Sequence, residues 1–175
     1  MKRTFFPVLA AALPLALFLS GCADPCKKGK PVPAYYPIQV SLSPALQGKS
    51  VEVDLVGVNE ASRSRYEAYS MTKYWKDGDA LRSSAPKKTV NFTGGSALTA
   101  SLPLNDPVWT PWKAQAISYV FVLVNLPGAH TDQPGSGDPR RQILALDKCA
   151  WPPGTKELRV VLTEGGPQVT PFNGK

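Results

Sequence analysis

The chain has 175 residues and a net charge of +7, with 43% hydrophobic and 19% charged residues, 18 prolines, three cysteines and one histidine. This length suits one domain with a real core, and a single histidine excludes a histidine-based metal cluster. The positive charge is scattered over Lys27, Lys28, Lys30, Lys87, Lys88, Arg140 and Arg141. No arginine–aromatic stripe accompanies it, so no nucleic-acid partner is expected.

Met1, Lys2 and Arg3 precede "TFFPVLAAALPLALFL", a basic start followed by an apolar run in the layout of a secretory leader. The run is too short for a membrane span of about twenty residues, and Pro7 and Pro14 interrupt it. Leu19-Ser20-Gly21-Cys22 closes it and resembles the bacterial lipobox. In that motif small residues let the chain enter the peptidase cleft extended, and the thiolate is nucleophilic enough to take up lipid. The resemblance implies that residues 1–21 are removed and that Cys22 is acylated, palmitate being a typical chain. More than one acyl chain gives stable anchoring. Ala23 rather than aspartate follows the cysteine, which by resemblance to enterobacterial sorting implies the outer membrane, facing the periplasm. Two thiols remain, Cys26 and Cys149. In an oxidising compartment an even pair reads as a disulfide. Two unpaired buried thiols are the alternative, and a metal site would need His130.

Residues 22–37 carry four prolines and no apolar period, so they read as a tether, with the domain over 38–175. "IQVSL" alternates Ile38, Val40 and Leu42 against polar neighbours, and "VEVDLVGV" sets Val51, Val53 and Leu55 inward with Glu52 and Asp54 toward water. "SPALQGK" supplies the turn between this strand pair. Over 60–77 the period changes: Tyr66, Tyr69, Met71, Tyr74 and Trp75 suit one helical face, ended by Asp77-Gly78. "KTVNF" and "ALTASLPL" read as a second pair around Gly94-Gly95, with Pro103 pushing the latter to an edge. "AISYVFVLVNL", 116–126, is the expected central strand. A polar loop over 127–141 leads to "QILALD" and "ELRVVLT". The whole predicts a mainly β chain: a two-sheet β-sandwich of seven to eight strands with one inserted helix.

Catalytic constellations are nearly absent. Gly-x-Ser-x-Gly does not occur, and "TGGSA" lies between strands where a phosphate cradle would need a following helix. Asp77 and Asp79 flank Gly78 without the rest of a calcium loop, and Asp132 and Asp138 form no recognisable site. Neither a cofactor nor a resident metal is expected, nor an enzyme. Trp109 and Trp112 in "DPVWTPW" offer two readings. One is rings that stack on cell-wall glycan. The other is a plug for the open end of the sandwich.

A lipobox, a strand pair, a helix after the second strand and a strand-rich remainder together resemble the type VI secretion outer-membrane lipoprotein, the TssJ family. "VEVDLVGVN" is similar to that family's "V-x-V-x-x-x-x-L", "YSMTKYW" to its "F-x-x-L-Y" helix, and "LRVVLTEGGPQV" to its last strand in character. The 127–141 loop, the tryptophan-rich segment and the two extra cysteines depart from it. The resemblance implies a transthyretin-like sandwich that anchors or scaffolds a periplasm-spanning complex. It also implies contact with the periplasmic part of an inner-membrane protein through Ala45, Leu46, Gln47 and Lys49. There Leu46 would be the apolar anchor and Lys49 a rim charge; a plain hairpin loop with Leu46 on its own core is the alternative.

Overall fold

The computed structural model describes Cys26 and residues 29–94 and 97–174; Cys22 and the leader lie outside the described residues. Eight strands form: β1 (Ile38–Leu42), β2 (Val51–Val58), β3 (Lys87–Phe92), β4 (Thr99–Leu102), β5 (Tyr119–Asn125), β6 (Arg141–Ala145), β7 (Glu157–Thr163) and β8 (Gly166–Phe172). They make two four-stranded sheets, ordered β4-β1-β7-β8 and β3-β2-β5-β6. All described neighbours are antiparallel except β1 and β7, which run side by side from Ile38 opposite Leu158 to Leu42 opposite Leu162.

The expected strand pairs are not pairs. β1 and β2 lie in different sheets, as do β3 and β4, so "SPALQGK" and the Gly94 turn are crossings from one sheet to the other. Both segments contain turn residues, but a turn signal sets where the chain bends and not which strand it rejoins. β4 lies at a sheet edge, as Pro103 at its end requires. β5, the expected central strand, is an inner strand of its sheet. β8 contains Pro167 and Pro171, which hide its pattern in the sequence. It forms because it is an edge strand, where missing donors do not interrupt a ladder.

Two cores hold the fold. Between the sheets, Ile38, Val40, Val51, Val53, Leu55, Val120, Val122, Val124, Leu158, Val160 and Leu162 are buried, each worth roughly 1.5–3 kcal/mol for an aliphatic side chain taken out of water. The outer face of the second sheet is covered by α1 (Glu60–Ala68), α2 (Met71–Tyr74) and α3 (Ala80–Ser84). There Val56, Val58, Phe121 and Leu123 meet Tyr66, Met71, Tyr74 and Leu81. Both faces of β2 and β5 are therefore dry, which accounts for their nearly continuous apolar runs.

The helical insert is divided because Asn59 caps its start and two further side chains, Ser70 and Asp79, restart it. Asn59 accepts from Ser62 N at 3.0 Å, Ser70 from Lys73 N at 3.0 Å and Asp79 from Arg82 N at 2.8 Å, each capping the donors of a new first turn. Asp54, expected to face water, is fully buried under this layer. Its carboxylate accepts from Tyr74 Oη at 3.0 Å, Arg82 Nε at 2.9 Å and Thr89 Oγ1 at 2.6 Å. Glu52 stays half-exposed and pairs with Arg82 at 2.6 Å.

A fourth helix, α4 (Trp109–Ala114), occupies a stretch whose prolines read as loop. It drops Trp112 onto Gly57, where an added Cβ would stand 2.6 Å from the indole Nε1. Gly57 N and Trp112 Nε1 both donate to Pro86 O, at 2.9 and 3.0 Å. Gly57→Ala is therefore expected to cost about 2–3 kcal/mol by overpacking. In urea melts the penalty should shrink when Trp112→Phe is already present; equal penalties in both backgrounds would remove the steric explanation. α4 ends with Ile117 N bonded to Trp112 O at 3.0 Å and Ala116 N to Lys113 O at 3.1 Å. This Schellman closure favours glycine at the left-handed position, held here by Ala116 at φ 51. Ala116→Gly is expected to raise stability by up to about 1 kcal/mol, the αL cost of alanine less the added unfolded-state freedom. A lowered melting midpoint would contradict this.

Candidate functional site

The N-terminal arm is fastened to the sandwich at one pole. Cys26 and Cys149 form a disulfide, S–S 2.15 Å and Cα–Cα 5.3 Å. Beyond it, Lys148 N donates to Val32 O at 2.7 Å, Val32 N to the Asp147 carboxylate at 2.8 Å and Ala34 N to Leu146 O at 3.0 Å. Tyr36 is buried in the main core. The second half of the expected tether is thus part of the folded body, because its backbone finds strand-like partners beside 146–148. Between Cys22 and the disulfide the chain has only residues 23–25.

At the opposite end of β1, a 3-10 turn (Pro44–Leu46) begins the crossing to β2. Leu46 is completely buried, so it cannot be the apolar anchor for a partner; it pins the crossing onto the protein's own core. Ala45, Gln47, Gly48 and Lys49 are exposed around it. Lys49 Nζ bonds Glu164 at 2.8 Å, both side chains largely solvated, and this contact holds the Glu164 carboxyl below its usual range.

Trp109 and Trp112 are also in the core, 2% and 0% exposed. Their rings meet edge to face at 5.0 Å, and Tyr35 meets Trp109 at 5.6 Å. Neither presents a face to a sugar, so the glycan-stacking reading fails; both rings belong to the core between the sheets. They are inside because α4 turns both rings inward, and their N–H groups find carbonyls of Pro103 and Pro86.

The 127–141 loop is held by charge. Arg140 donates to Asp138 from N and Nε at 2.9 Å and from Nη2 at 2.8 Å, and its guanidinium also reaches Asp132 and Thr72 Oγ1. Asp132 accepts in turn from Ser70 Oγ and from Thr72 N and Oγ1 at the start of α2. Burial works against ionisation of Asp138, but the Arg140 guanidinium and the N–H groups of Arg140 and Gln133 outweigh it and hold the carboxyl below its ordinary range. Asp132 is held well below it in the same way, desolvation being overcome by Ser70, Thr72 and Arg140. A carboxylate depressed on folding stabilises fully above the unfolded pKa, about 3.9, and the benefit is lost as pH falls through the folded value. Stability is therefore expected to be level from neutrality to about pH 5 and to fall below about pH 4. In melts across that range, Asp138→Asn should flatten the fall. An unchanged slope would show that other carboxylates carry it.

These polar side chains satisfy one another and, among the described residues, form no nucleophile–base pair. Among the described residues no group of three or more His, Cys, Asp or Glu is placed to hold a metal ion. His130 is on the exposed loop, its Nε2 3.3 Å from Pro127 O, and the two described thiols are spent on each other.

The molecule is thus a two-sheet β-sandwich with a helical layer over one sheet and an arm stapled at one pole. Its fold is similar to the solved structure of the T6SS protein TssM C-terminal domain from EAEC, with a TM-score of 0.51 and 9% identity over 78% of this chain and 100% of that one. Further similar structures are the T6SS lipoprotein TssJ1 from Pseudomonas aeruginosa (TM-score 0.48, 11% identity, 82% of this chain and 100% of that one) and Serratia marcescens Lip, a membrane-bound component of the type VI secretion system (0.44, 13%, 81% and 99%). The likeness is one of architecture. No protein-family model and no curated protein matches this chain.

Proposed function

We propose that this chain is a non-enzymatic lipoprotein scaffold of the bacterial envelope, anchored to the outer membrane through lipid on Cys22. The observation that carries this reading is the placement of the lipobox cysteine four residues before a cysteine stapled to the sandwich. Such a chain holds a folded body at a fixed place on a membrane. The exposed tip formed by Ala45, Gln47 and Lys49 is the contact for the periplasmic part of an inner-membrane protein. Leu46 acts indirectly, by fixing the tip's shape from inside. The fold likeness makes the type VI secretion membrane complex the assembly to test first. The satisfied state of Asp54, Asp132 and Asp138 supports a scaffold over a hydrolase, because each carboxylate already serves the fold.

The test is a photo-crosslinking residue at Gln47 in cells of the native organism, followed by mass spectrometry of the adducts. An adduct with an inner-membrane protein, weakened when Ala45→Arg and Lys49→Glu are added, supports the scaffold and its tip. Adducts confined to outer-membrane lipids or cell-wall fragments would sink the partner reading. Leu46 is left intact, since emptying its site costs about 2–5 kcal/mol and would confuse unfolding with lost contact.

A further inference from the structure

The pole that carries the disulfide presents an exposed Pro-Pro-Gly turn. After Cys149 the chain runs through Trp151, Pro152, Pro153 and Gly154, the last three exposed. Thr155 N and Oγ1 both return to Pro152 O, at 3.2 and 2.7 Å, and Gly154 sits at φ 85. Proline followed by a left-handed glycine is the arrangement of a type II turn, so this apolar tip is rigid. Trp151 is half-buried behind it, its Nε1 donating to Ala145 O at 2.8 Å. Beneath them opens a cavity of about 720 Å³ lined by Ala34, Tyr36, Trp151, Pro152 and the two bonded cysteines. Lys148 lines the same cavity, Lys156 follows Thr155 directly, and Lys30 comes two residues before Val32, whose carbonyl accepts from Lys148 N; all three are exposed. The nearby Asp147 carboxylate is occupied by Val32 N and Cys149 N.

Chain length decides what lies against this pole. Four peptide steps separate Cys22 from Cys26, a reach of at most roughly 14 Å. Lipid on Cys22 then brings the bilayer surface to the disulfide and leaves no room for another macromolecule between them. We infer that the Trp151–Gly154 tip rests in the membrane interface, its apolar residues among the phospholipid acyl chains and Lys30, Lys148 and Lys156 toward phosphates. An indole with an apolar body suits that depth, and each lysine adds attraction to an anionic surface. Seating also sets direction. The parallel strands β1 and β7 both start at this pole and both end at the far tip, where Lys49 meets Glu164. Five residues of strand hold that tip roughly 16 Å further into the periplasm.

This inference rests on the lipoprotein reading, and the experiment separates the two. The full lipidated protein is reconstituted in vesicles of phosphatidylethanolamine and phosphatidylglycerol, with and without brominated acyl chains, and tryptophan emission is recorded on floated vesicles. Trp109 and Trp112 are in the core and Trp75 is half-buried in the helical layer, so bromine is expected to quench Trp151 alone. Trp151→Phe should abolish the quenching, and Pro153→Glu should lower the ratio of seated to lifted bodies by about fivefold. All three proteins should float equally. Floated wild type without quenching, or quenching that survives Trp151→Phe, overturns the seating while leaving the anchor intact. A chain whose mass shows no acyl groups removes the lipoprotein reading and the seating with it.

Discussion

Reducing the Cys26–Cys149 bond, or replacing both cysteines by serine, is expected to lower the unfolding free energy by about 4–5 kcal/mol. The bond spans 123 residues, and on the chain-entropy model a loop of that size removes about this much freedom from the unfolded chain. For a domain of this size the loss corresponds to roughly 10–15 °C in melting temperature. Either single serine variant should cost as much as the pair, because one missing sulfur already opens the loop. The native arm should survive in part: Lys148 N keeps its bond to Val32 O, Ala34 N to Leu146 O and Val32 N to the Asp147 carboxylate, and Tyr36 stays in the core. Oxidised and reduced protein melting within a degree or two of each other would refute the staple as a stabiliser.

Arg141→Met is expected to lower the unfolding free energy by about 3–5 kcal/mol. Arg141 begins β6, is 2% exposed and forms no ion pair among the described residues. Its guanidinium donates instead to four carbonyls: Glu67 and Tyr69 at the end of α1, and Gln133 and Gly135 in the long loop, the last at 3.0 Å. Burial pushes its pKa down, with the nearby carboxylates Asp138, Asp132 and Glu67 opposing that and Arg140 adding to it. The guanidinium thus closes the C-terminal end of a helix, where unmatched carbonyls favour a cation, and clasps the loop to it. Methionine fills much of the same volume but leaves buried acceptors without donors, at about 1–3 kcal/mol each where water cannot reach. Arg141→Lys should recover little, since one ammonium cannot span acceptors that a planar fork reaches together. Denaturant melts measure the loss, and amide exchange should locate it in α1 and the 127–141 loop. A loss under about 1 kcal/mol would mean that water replaces the guanidinium.

Much of the fold was legible because of simple periodicities. Ile38–Leu42 and Glu157–Thr163 alternate dry and wet positions, so they read as strands wherever they end up in a sheet. Residues 60–77 read as helical from their tyrosine spacing, and Asp77-Gly78 marked a stop. That spacing did not show that helix starts again at Ser70 and at Asp79, whose side chains accept from Lys73 N and Arg82 N. The site was less legible. Leu46, Trp109 and Trp112 were singled out as large apolar residues in loop-like sequence, and each proved to be interior. Composition identifies a residue that wants burial but does not say whether its own core or a partner provides it.

By itself the sequence determined the ingredients: a Leu19-Ser20-Gly21-Cys22 motif after a basic and apolar start, two further thiols, seven of the eight described strands and a helical insert. Those depend on local chemistry, on which residues sit side by side and with what period. Tertiary structure alone decided that β1 and β2 part company, that Asp54 lies under the helices, and that Arg140, with Asp132 and Asp138, and Arg141, on backbone carbonyls, together clasp the loop. It also made the second half of the expected tether part of the folded body, by bringing Cys26 beside Cys149 and 32–34 beside 146–148. These are matters of which distant segments meet, and that is settled by the joint burial of two cores, which no window of neighbouring residues contains.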